Sequence, residues 1–332
     1  MLKYIFKRVL LTLPMIIILM TFVFIVIHSA PGDPATAMLG PRATEDRLNK
    51  IREQMGLNKP ILQQYFDYII STFRGDFGKS FVTREPVINL IGSYFPATLE
   101  LTIYATGVAI IVGLGLGILG AAKSGGVIDF ACHTYGILIY AVPVFFSGML
   151  LQLVFGIFLG WLPSSGRIAG SVPVNVTGLY TVDCLITGNW SSLVSSIKYL
   201  LLPSITLGLF ISGFFVRMTR TNLLQTINKD YTRTARAKGV REITILFKHA
   251  FRNALIPVMT IVGMQFALLL GGAILTESTF AWPGLGRFLV LSVNNRDYPA
   301  VQGIVTFFAF FVAFISLLID VLNAYIDPRI HY

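Results

Sequence analysis

The chain has 332 residues, of which 55% are hydrophobic and only 13% are charged, and its mean hydropathy is +0.73. Because soluble domains usually contain about a quarter charged residues, this composition excludes an ordinary soluble fold and indicates a polytopic membrane protein. The formal net charge of +10 would suggest nucleic-acid binding in a soluble chain. In a membrane protein, surplus Lys and Arg set the topology and contact lipid, so we expect membrane lipid and no nucleic acid as a partner.

Six segments approach the roughly 20 apolar residues that a helix needs to cross a bilayer. They are approximately residues 9–27, 97–121, 130–159, 199–215, 255–275 and 301–322. The third segment is long enough to bend, and Pro143 is placed to kink it. The sequence therefore predicts an all-α polytopic membrane protein with six transmembrane helices.

The first segment has an alternative interpretation as a secretory signal peptide, because Lys3, Lys7 and Arg8 precede its apolar run. The run is longer than a typical signal-peptide core, however, and His28 and Pro31 flank the small-residue site that would have to be cleaved. These features favour a retained helix.

Basic residues in the short loops predict the orientation. Of the 26 Lys and Arg, nine lie between Arg217 and Arg252, and placing this loop inside puts both termini in the cytoplasm. The sequence then divides into an N-terminal helix (1–30), an extracytoplasmic segment (31–96), a transmembrane core (97–325) with a cytoplasmic loop (217–252), and a tail (326–332). We expect two short helices separated at Pro60 in the extracytoplasmic segment, and an irregular second outer loop at about 161–198.

Motifs for catalysis or cofactor binding fail on spacing or context. The stretch GDFGKS (75–80) has two residues between its glycines where a phosphate loop needs four. A G-x-G-x-x-G pattern at 115–120 lies inside an apolar span, where small residues, with Gly113 and Gly117, predict helix packing. We expect Cys132 and Cys184 to be packing residues, and this chain to be neither an enzyme nor the binder of a metal or cofactor.

Ionisable residues inside apolar spans often mark proton or ion pathways. Here Glu100, Glu277 and Asp320 fall near predicted span ends, where we expect lipid headgroups to hydrate them. This placement counts against a proton-coupled secondary carrier.

The basic stretch DYTRTARAKGVREITILFKHAFRN (230–253) predicts two helices separated at Gly239. The first runs from Tyr231 to Lys238 with Asp230 as its N-cap, and helical spacing puts Arg233 and Arg236 opposite one face of four residues: Tyr231, Thr234, Ala235 and Lys238. The second is amphipathic, with Arg241, Lys248 and Arg252 on one stripe and an apolar face formed by Ile243, Leu246, Phe247, Ala250 and Phe251. Acidic lipid is one candidate partner for the stretch; the small-residue face of the first helix favours docking to another protein.

Several long motifs carry a family resemblance over essentially the whole chain. They are DYTRTARAKGV, HAFRNALIPV, GGAILTESTFAWPGLGR, NRDYPAVQG, APGDPA and the closing DPRIHY. In these motifs the sequence resembles the inner-membrane permease subunits of binding-protein-dependent ABC importers, in the dipeptide, oligopeptide and nickel branch. The resemblance implies a type I importer permease fold, with a five-helix core after an extra N-terminal helix and external segment.

The resemblance also implies a cytoplasmic coupling (EAA) loop that docks on an ATPase subunit. By position, the coupling residues are Tyr231, Thr234, Ala235, Arg236, Ala237, Lys238 and Gly239, and the helix that transmits their movement carries Arg241, Lys248 and Arg252. Arg233 and Thr234 stand where the general pattern has Glu and Ala, as in the peptide branch. The segment after the fifth span offers candidates for an external gate or scoop: Phe280, Trp282, Pro283 and Gly284. An interfacial aromatic anchor is the alternative for that segment.

The partners implied are a second homologous permease, two ATPase subunits that bind ATP and Mg²⁺, and an extracytoplasmic solute-binding protein. The cargo implied is a small peptide, with glutathione, nickel chelates or oligosaccharides as alternatives. The expected location is a bacterial or archaeal cytoplasmic membrane.

Overall fold

The computed structural model describes residues 2–29, 35–36, 43–54 and 56–326, and the regular elements within these ranges are helices. Most of the predicted tail, including DPRIHY, and most of APGDPA lie outside the described residues. The first three helices are α1 (Leu2–Ser29), α2 (Glu45–Gln54) and α3 (Ile61–Phe73). Pro60 directly precedes α3, so the prediction of two short helices separated at this proline is confirmed.

The apolar helices are long. They are α4 (Val87–Ala122), α5 (Val127–Ala141), α6 (Val144–Leu151) with a π-helical continuation (Gln152–Phe158), α8 (Trp190–Ile227), α11 (Arg252–Gly272) and α14 (Tyr298–Ile326). In the described part of the chain, four helices are long and apolar enough to cross a membrane, and the number is six when each of two bent helix pairs is counted as one span. The prediction of six spans is confirmed on this count.

Two prolines accompany the bent spans. Helices α5 and α6 meet at an angle of 100° around Pro143, which immediately precedes α6, so the predicted kink is confirmed. The second bend, of 50°, separates Glu242–Leu255 from Pro257–Leu269. Proline removes a helical hydrogen bond and its ring clashes with the preceding turn, which explains why the chain changes direction at these positions.

The shorter helices correct the expected loops. They are α7 (Tyr180–Thr187), α9 (Asp230–Ala237), α10 (Glu242–Thr244), α12 (Ile274–Thr279) and α13 (Leu285–Asn294). The prediction of an irregular second outer loop is wrong for α7 and for the first residues of α8. Residues 191–198 are too polar to be counted as part of an apolar span, but their backbone is helical and belongs to α8.

The described chain forms two compact units. The first contains the described residues through Pro96 together with Gly284–Leu317, and the second contains Ala97–Pro283 and the described residues from Leu318 onward. Within the first unit, α3 packs on α1 and α14: the hydroxyl of Tyr65 lies 2.6 Å from that of Thr21, and the hydroxyl of Tyr68 lies 2.6 Å from that of Thr306. The division at 1–30, 31–96 and 97–325 stays a prediction.

Small residues join α4 to α8 inside the second unit. A Cβ added at Gly117 would lie 2.6 Å from the Cβ of Thr219, and one added at Gly113 would collide with Phe215. The predicted role of this glycine pair in helix packing is therefore confirmed. Cys132 and Cys184 are both buried and free, as expected for packing residues.

Candidate functional site

The basic loop between α8 and α11 (residues 228–251) begins with helix α9. Lys229, rather than the predicted Asp230, occupies the N-cap position. Its carbonyl accepts from the N–H of Arg233 (3.1 Å), as an N-cap carbonyl does, and the hydroxyl of the buried Thr232 shares its hydrogen between the carbonyls of Ile227 (2.8 Å) and Lys229 (2.5 Å). These bonds tie the first turn of α9 to the end of α8 and fix the point at which the helix begins.

The end of α9 requires glycine. Gly239 has a φ of +74°, its N–H donates to the carbonyl of Arg236, and the N–H of Val240 donates to the carbonyl of Ala235. These two bonds are the pair that defines a Schellman motif, in which the residue after the C-cap is left-handed. The predicted helix stop at Gly239 is confirmed.

The residues of α9 differ in burial. Thr232 and Ala235 are buried against the rest of the chain, whereas Tyr231 and Thr234 are exposed. Of the seven predicted coupling residues, only Ala235 is buried; Arg236, Ala237, Lys238 and Gly239 are also exposed. Helix α9 therefore presents a mixed polar surface outward and uses its two small side chains for packing within its own unit.

An ion pair spans the turn at Gly239. The Arg236 guanidinium donates from Nε to Oε1 of Glu242 (2.5 Å) and from Nη2 to Oε2 (3.0 Å), and this pairing raises the pKa of Arg236. Such two-point contacts fix orientation as well as distance. Arg236 thus connects α9 to the start of the following helix, while Arg233 stays largely exposed beside Asp230.

The second part of the basic loop is helical, but with a π-helical segment, Ile245–Phe251, between α10 and α11. Arg241, Lys248 and Arg252 are exposed, in agreement with the predicted basic stripe. Of the predicted apolar face, Ala250 is buried, whereas Ile243 is 66% exposed and Phe247 49% exposed. The π turn adds a residue to the turn, so the buried positions are Ile245, Ala250 and Ala254.

The second candidate region surrounds Trp282. Trp282 and Phe280 are each only 1% exposed, and the indole N–H of Trp282 donates to the carbonyl of Ala97 at 2.8 Å. Ala281, between the two aromatics, has a φ of +48°, which is costly for a residue with a Cβ. The interpretation of this segment as an interfacial aromatic anchor is wrong, since both rings lie inside the second unit.

The remaining gate candidates occupy the end of this segment. Pro283 is half-buried, and the buried Gly284 precedes α13 in the first unit. Two further contacts hold the segment in the second unit: the N–H of Gly166 donates to the carbonyl of Phe280 (2.9 Å), and the Gln152 amide donates to that of Thr279 (3.0 Å). Of the four candidates, Phe280, Trp282 and Gly284 are therefore buried and Pro283 is half-buried.

A buried ion pair lies next to Trp282. Arg167 donates from Nε and Nη2 to Oε2 of Glu100, at 3.0 and 2.6 Å, while Thr181 donates its N–H and its hydroxyl to Oε1 at 2.8 and 2.7 Å. The guanidinium carbon lies 3.6 Å from the centre of the Tyr180 ring and 5.6 Å from that of Trp282. These contacts join α4, the segment before α7, and the Trp282 region into one polar cluster, the Glu100 cluster.

The Glu100 cluster has two supporting contacts. Arg167 Nη2 also donates to the carbonyl of Gly178 (2.7 Å), and that turn is held by Asp183, which accepts from the N–H groups of Thr177 and Gly178. Burial alone would raise the pKa of Asp183, but hydrogen bonds from Thr177 and its neighbours outweigh it, and the pKa is lowered. Asp183 therefore stays charged and keeps the Gly178 carbonyl in reach of Arg167.

The expected hydration of Glu100 and Glu277 by lipid headgroups is wrong. Both carboxylates are buried in protein, and Glu277 Oε1 accepts from the Thr98 hydroxyl at 2.5 Å. Arg167 was missed as a partner because it lies in a stretch of Gly, Ser and Val that reads as an exterior loop. One signal was available: a carboxylate inside an apolar helix needs a donor, and Arg167 and Lys198 are the two cations in that loop.

The arrangement of bent apolar spans, with a helical basic loop before the fifth, defines a multi-pass membrane protein with the fold of a type I ABC importer permease. One solved structure with this fold, an inward-facing MetNI methionine ABC transporter, matches 70% of this chain and 93% of its own at a TM-score of 0.54 and 15% identity.

Sequence comparison gives the family. Residues 113–332 match the model of the binding-protein-dependent transport system inner membrane component, and residues 1–102 match its N-terminal companion. The chain belongs to this family of ABC transporter permeases, and it is a multi-pass inner-membrane protein.

Curated relatives match over the full length of both chains. The dipeptide transport system permease protein of Alkalihalophilus pseudofirmus is 41% identical over 100% of each chain. The glutathione transport system permease protein of Escherichia coli is 40% identical, again over 100% of each chain.

Proposed function

We propose that this chain is a permease subunit of an ATP-driven importer of small peptides, forming half of the translocation pathway. The observation that carries the proposal is the 41% identity, over 100% of each chain, to a permease named for dipeptide transport. The similarly close glutathione permease supports a related cargo, since glutathione is itself a tripeptide. Nickel chelates and oligosaccharides are further alternatives.

The proposed complex contains a second homologous permease, two ATPase subunits and an extracytoplasmic solute-binding protein. ATP and Mg²⁺ would bind only to the ATPase subunits, so this chain would hold no cofactor and hydrolyse nothing. Both termini and the basic loop would face the cytoplasm, because nine Lys and Arg are concentrated between Arg217 and Arg252. The Trp282 region would then face the opposite side.

Helix α9 is the element that would dock on an ATPase subunit. It is short, its outer side chains are exposed, and its ends are fixed by the Thr232 bonds and by the Gly239 turn. The Arg236–Glu242 pair connects it to the helix that leads into the fifth span. Movement of the ATPase subunits would therefore be passed through α9 to that span. This requires that α9 makes different contacts in the outward-open and inward-open states of the pathway.

The Trp282 region would act as the external gate. Its two aromatic side chains fill space inside the second unit, and the Glu100 cluster beside them joins three separate parts of the chain. A gating role requires that the contacts of this region differ between the open and closed states of the pathway, so we expect the Glu100 cluster or the Trp282 contacts to rearrange during transport.

The coupling role is tested by Gly239→Pro. Proline cannot adopt a positive φ, so the turn should be distorted, and uptake of a radiolabelled dipeptide by the complete importer should be lost while the subunits still assemble. Normal uptake in that variant would contradict the transmission of movement through α9. The cargo is tested separately with the unmodified importer: dipeptide uptake that excess unlabelled glutathione fails to reduce supports the peptide assignment, and saturable glutathione uptake with no dipeptide uptake overturns it.

A further inference from the structure

A cleft opens on the basic loop where α9 faces the start of the fifth span. It is lined by Tyr231, Lys248, His249, Arg252, Asn253, Leu255 and Met259, and has a volume of about 610 Å³. Tyr231 belongs to α9, and the other six residues belong to the π-helical segment and α11. We call this feature the basic cleft.

The charge of the basic cleft has one sign. Lys248 and Arg252 are exposed, and neither makes an ion pair within the described part of the chain. His249 adds a third basic side chain, Tyr231 and Asn253 add hydrogen-bonding groups, and no Asp or Glu lines the cleft. Such a set matches an anion with several acceptor oxygens, such as a phosphate group.

The apolar residues at one end of the cleft indicate that the phosphate belongs to a phospholipid. The cleft lies at the 50° bend between Glu242–Leu255 and the apolar Pro257–Leu269, where the amphipathic part of the helix meets the part that enters the membrane. Leu255 is half-buried and Met259 is 47% exposed. A phospholipid can contact such an arrangement with its headgroup on the basic residues and its acyl chains on the apolar residues that follow them.

We propose that the basic cleft binds an anionic phospholipid, with the headgroup phosphate on Lys248 and Arg252 and an acyl chain along Leu255 and Met259. Because Tyr231 forms one wall, a bound headgroup connects α9 to the helix that enters the membrane. The position of α9, and with it the coupling to ATP hydrolysis, then depends on the lipid composition of the membrane.

The test uses the complete importer, purified with all its subunits. Retained phosphatidylglycerol is counted by native mass spectrometry in Lys248→Gln/Arg252→Gln and in the matched control Lys229→Gln/Arg233→Gln, which removes one Lys and one Arg that are exposed but do not line the cleft. At about 1 kcal/mol per basic residue near anionic lipid, the first pair should lose roughly 30-fold in affinity. The control should retain the lipid, and phosphatidylcholine should not be retained by any form.

Three outcomes overturn the proposal. Equal lipid loss in both variants means that only net charge matters. Displacement of the lipid by millimolar inorganic phosphate means that the cleft recognises a free anion. Retained lipid together with loss of the ATPase subunits from Lys248→Gln/Arg252→Gln means that the cleft is a protein-docking surface. If the lipid is lost selectively, ATP hydrolysis by the unmodified importer in nanodiscs should also change when phosphatidylglycerol replaces phosphatidylcholine, and an unchanged rate overturns the proposed link to α9.

Discussion

Arg167 donates two hydrogen bonds to the carboxylate of Glu100, although 67 positions separate them in the sequence and both side chains are buried. Glu100 lies in an apolar helix, and Arg167 lies in the segment between the third and fourth spans. Desolvating both charges is costly, and good geometry with further hydrogen bonds is needed to offset it. Thr181 and Gly178 supply those bonds, so the pair specifies how this segment folds back on α4.

Replacing Glu100 with Gln should destabilise the protein strongly. The change leaves the Arg167 guanidinium buried without a counter-charge, which typically costs about 3–5 kcal/mol. We expect lower yield of the folded complex and a lower melting temperature, measured by thermal unfolding in lipid nanodiscs. The double variant Glu100→Gln/Arg167→Met should recover part of the loss, since it removes both charges. A Glu100→Gln protein as stable as the unmodified one would show that the ion pair is dispensable.

The spans could be predicted from sequence because composition and length determine them, and Pro143 and Gly239 could be predicted because their backbone chemistry is local. The π turn at Ile245–Phe251 could not be predicted from the helical spacing of the basic loop, and it shifts the register of the residues that follow it. Arg167 could not be assigned to Glu100, because its pairing depends on how a long loop returns to the span. Tertiary contacts, and not the local sequence pattern, determine which residues form such an ion pair.

Replacing Trp282 with Phe should destabilise the protein. Trp282→Phe keeps an aromatic ring but removes the N–H that donates to the carbonyl of Ala97, a hydrogen bond that typically contributes about 0.5–1.5 kcal/mol. If the region gates the external side, basal ATP hydrolysis without binding protein should rise as well. Trp161→Phe is the matched control, because Trp161 is 67% exposed. Equal effects of the two substitutions would contradict a special role for Trp282.

The Arg236–Glu242 pair should affect coupling and leave folding largely unchanged. Both side chains are exposed, so Arg236→Gln should change the melting temperature little. The variant frees α9 from the helix that follows Gly239, and we expect less peptide imported per ATP hydrolysed, measured as the ratio of the two rates. The exchange Arg236→Glu/Glu242→Arg should restore part of that ratio, whereas Lys123→Gln, which removes an exposed cation outside the basic loop, should leave it unchanged. A ratio unaffected by Arg236→Gln would contradict transmission through this contact.

Two glycines in the same helix should respond oppositely to the same substitution. Gly117 packs against α8, where an added Cβ would lie 2.6 Å from that of Thr219, but an added Cβ at Gly115 would meet nothing within 4 Å. Gly117→Ala should therefore push the helices apart and destabilise the protein by about 1–3 kcal/mol. Gly115→Ala should be neutral or stabilising, because alanine favours the helix by up to about 1 kcal/mol. Thermal unfolding of the two variants in nanodiscs measures the difference, and equal melting temperatures would contradict close packing of α4 on α8.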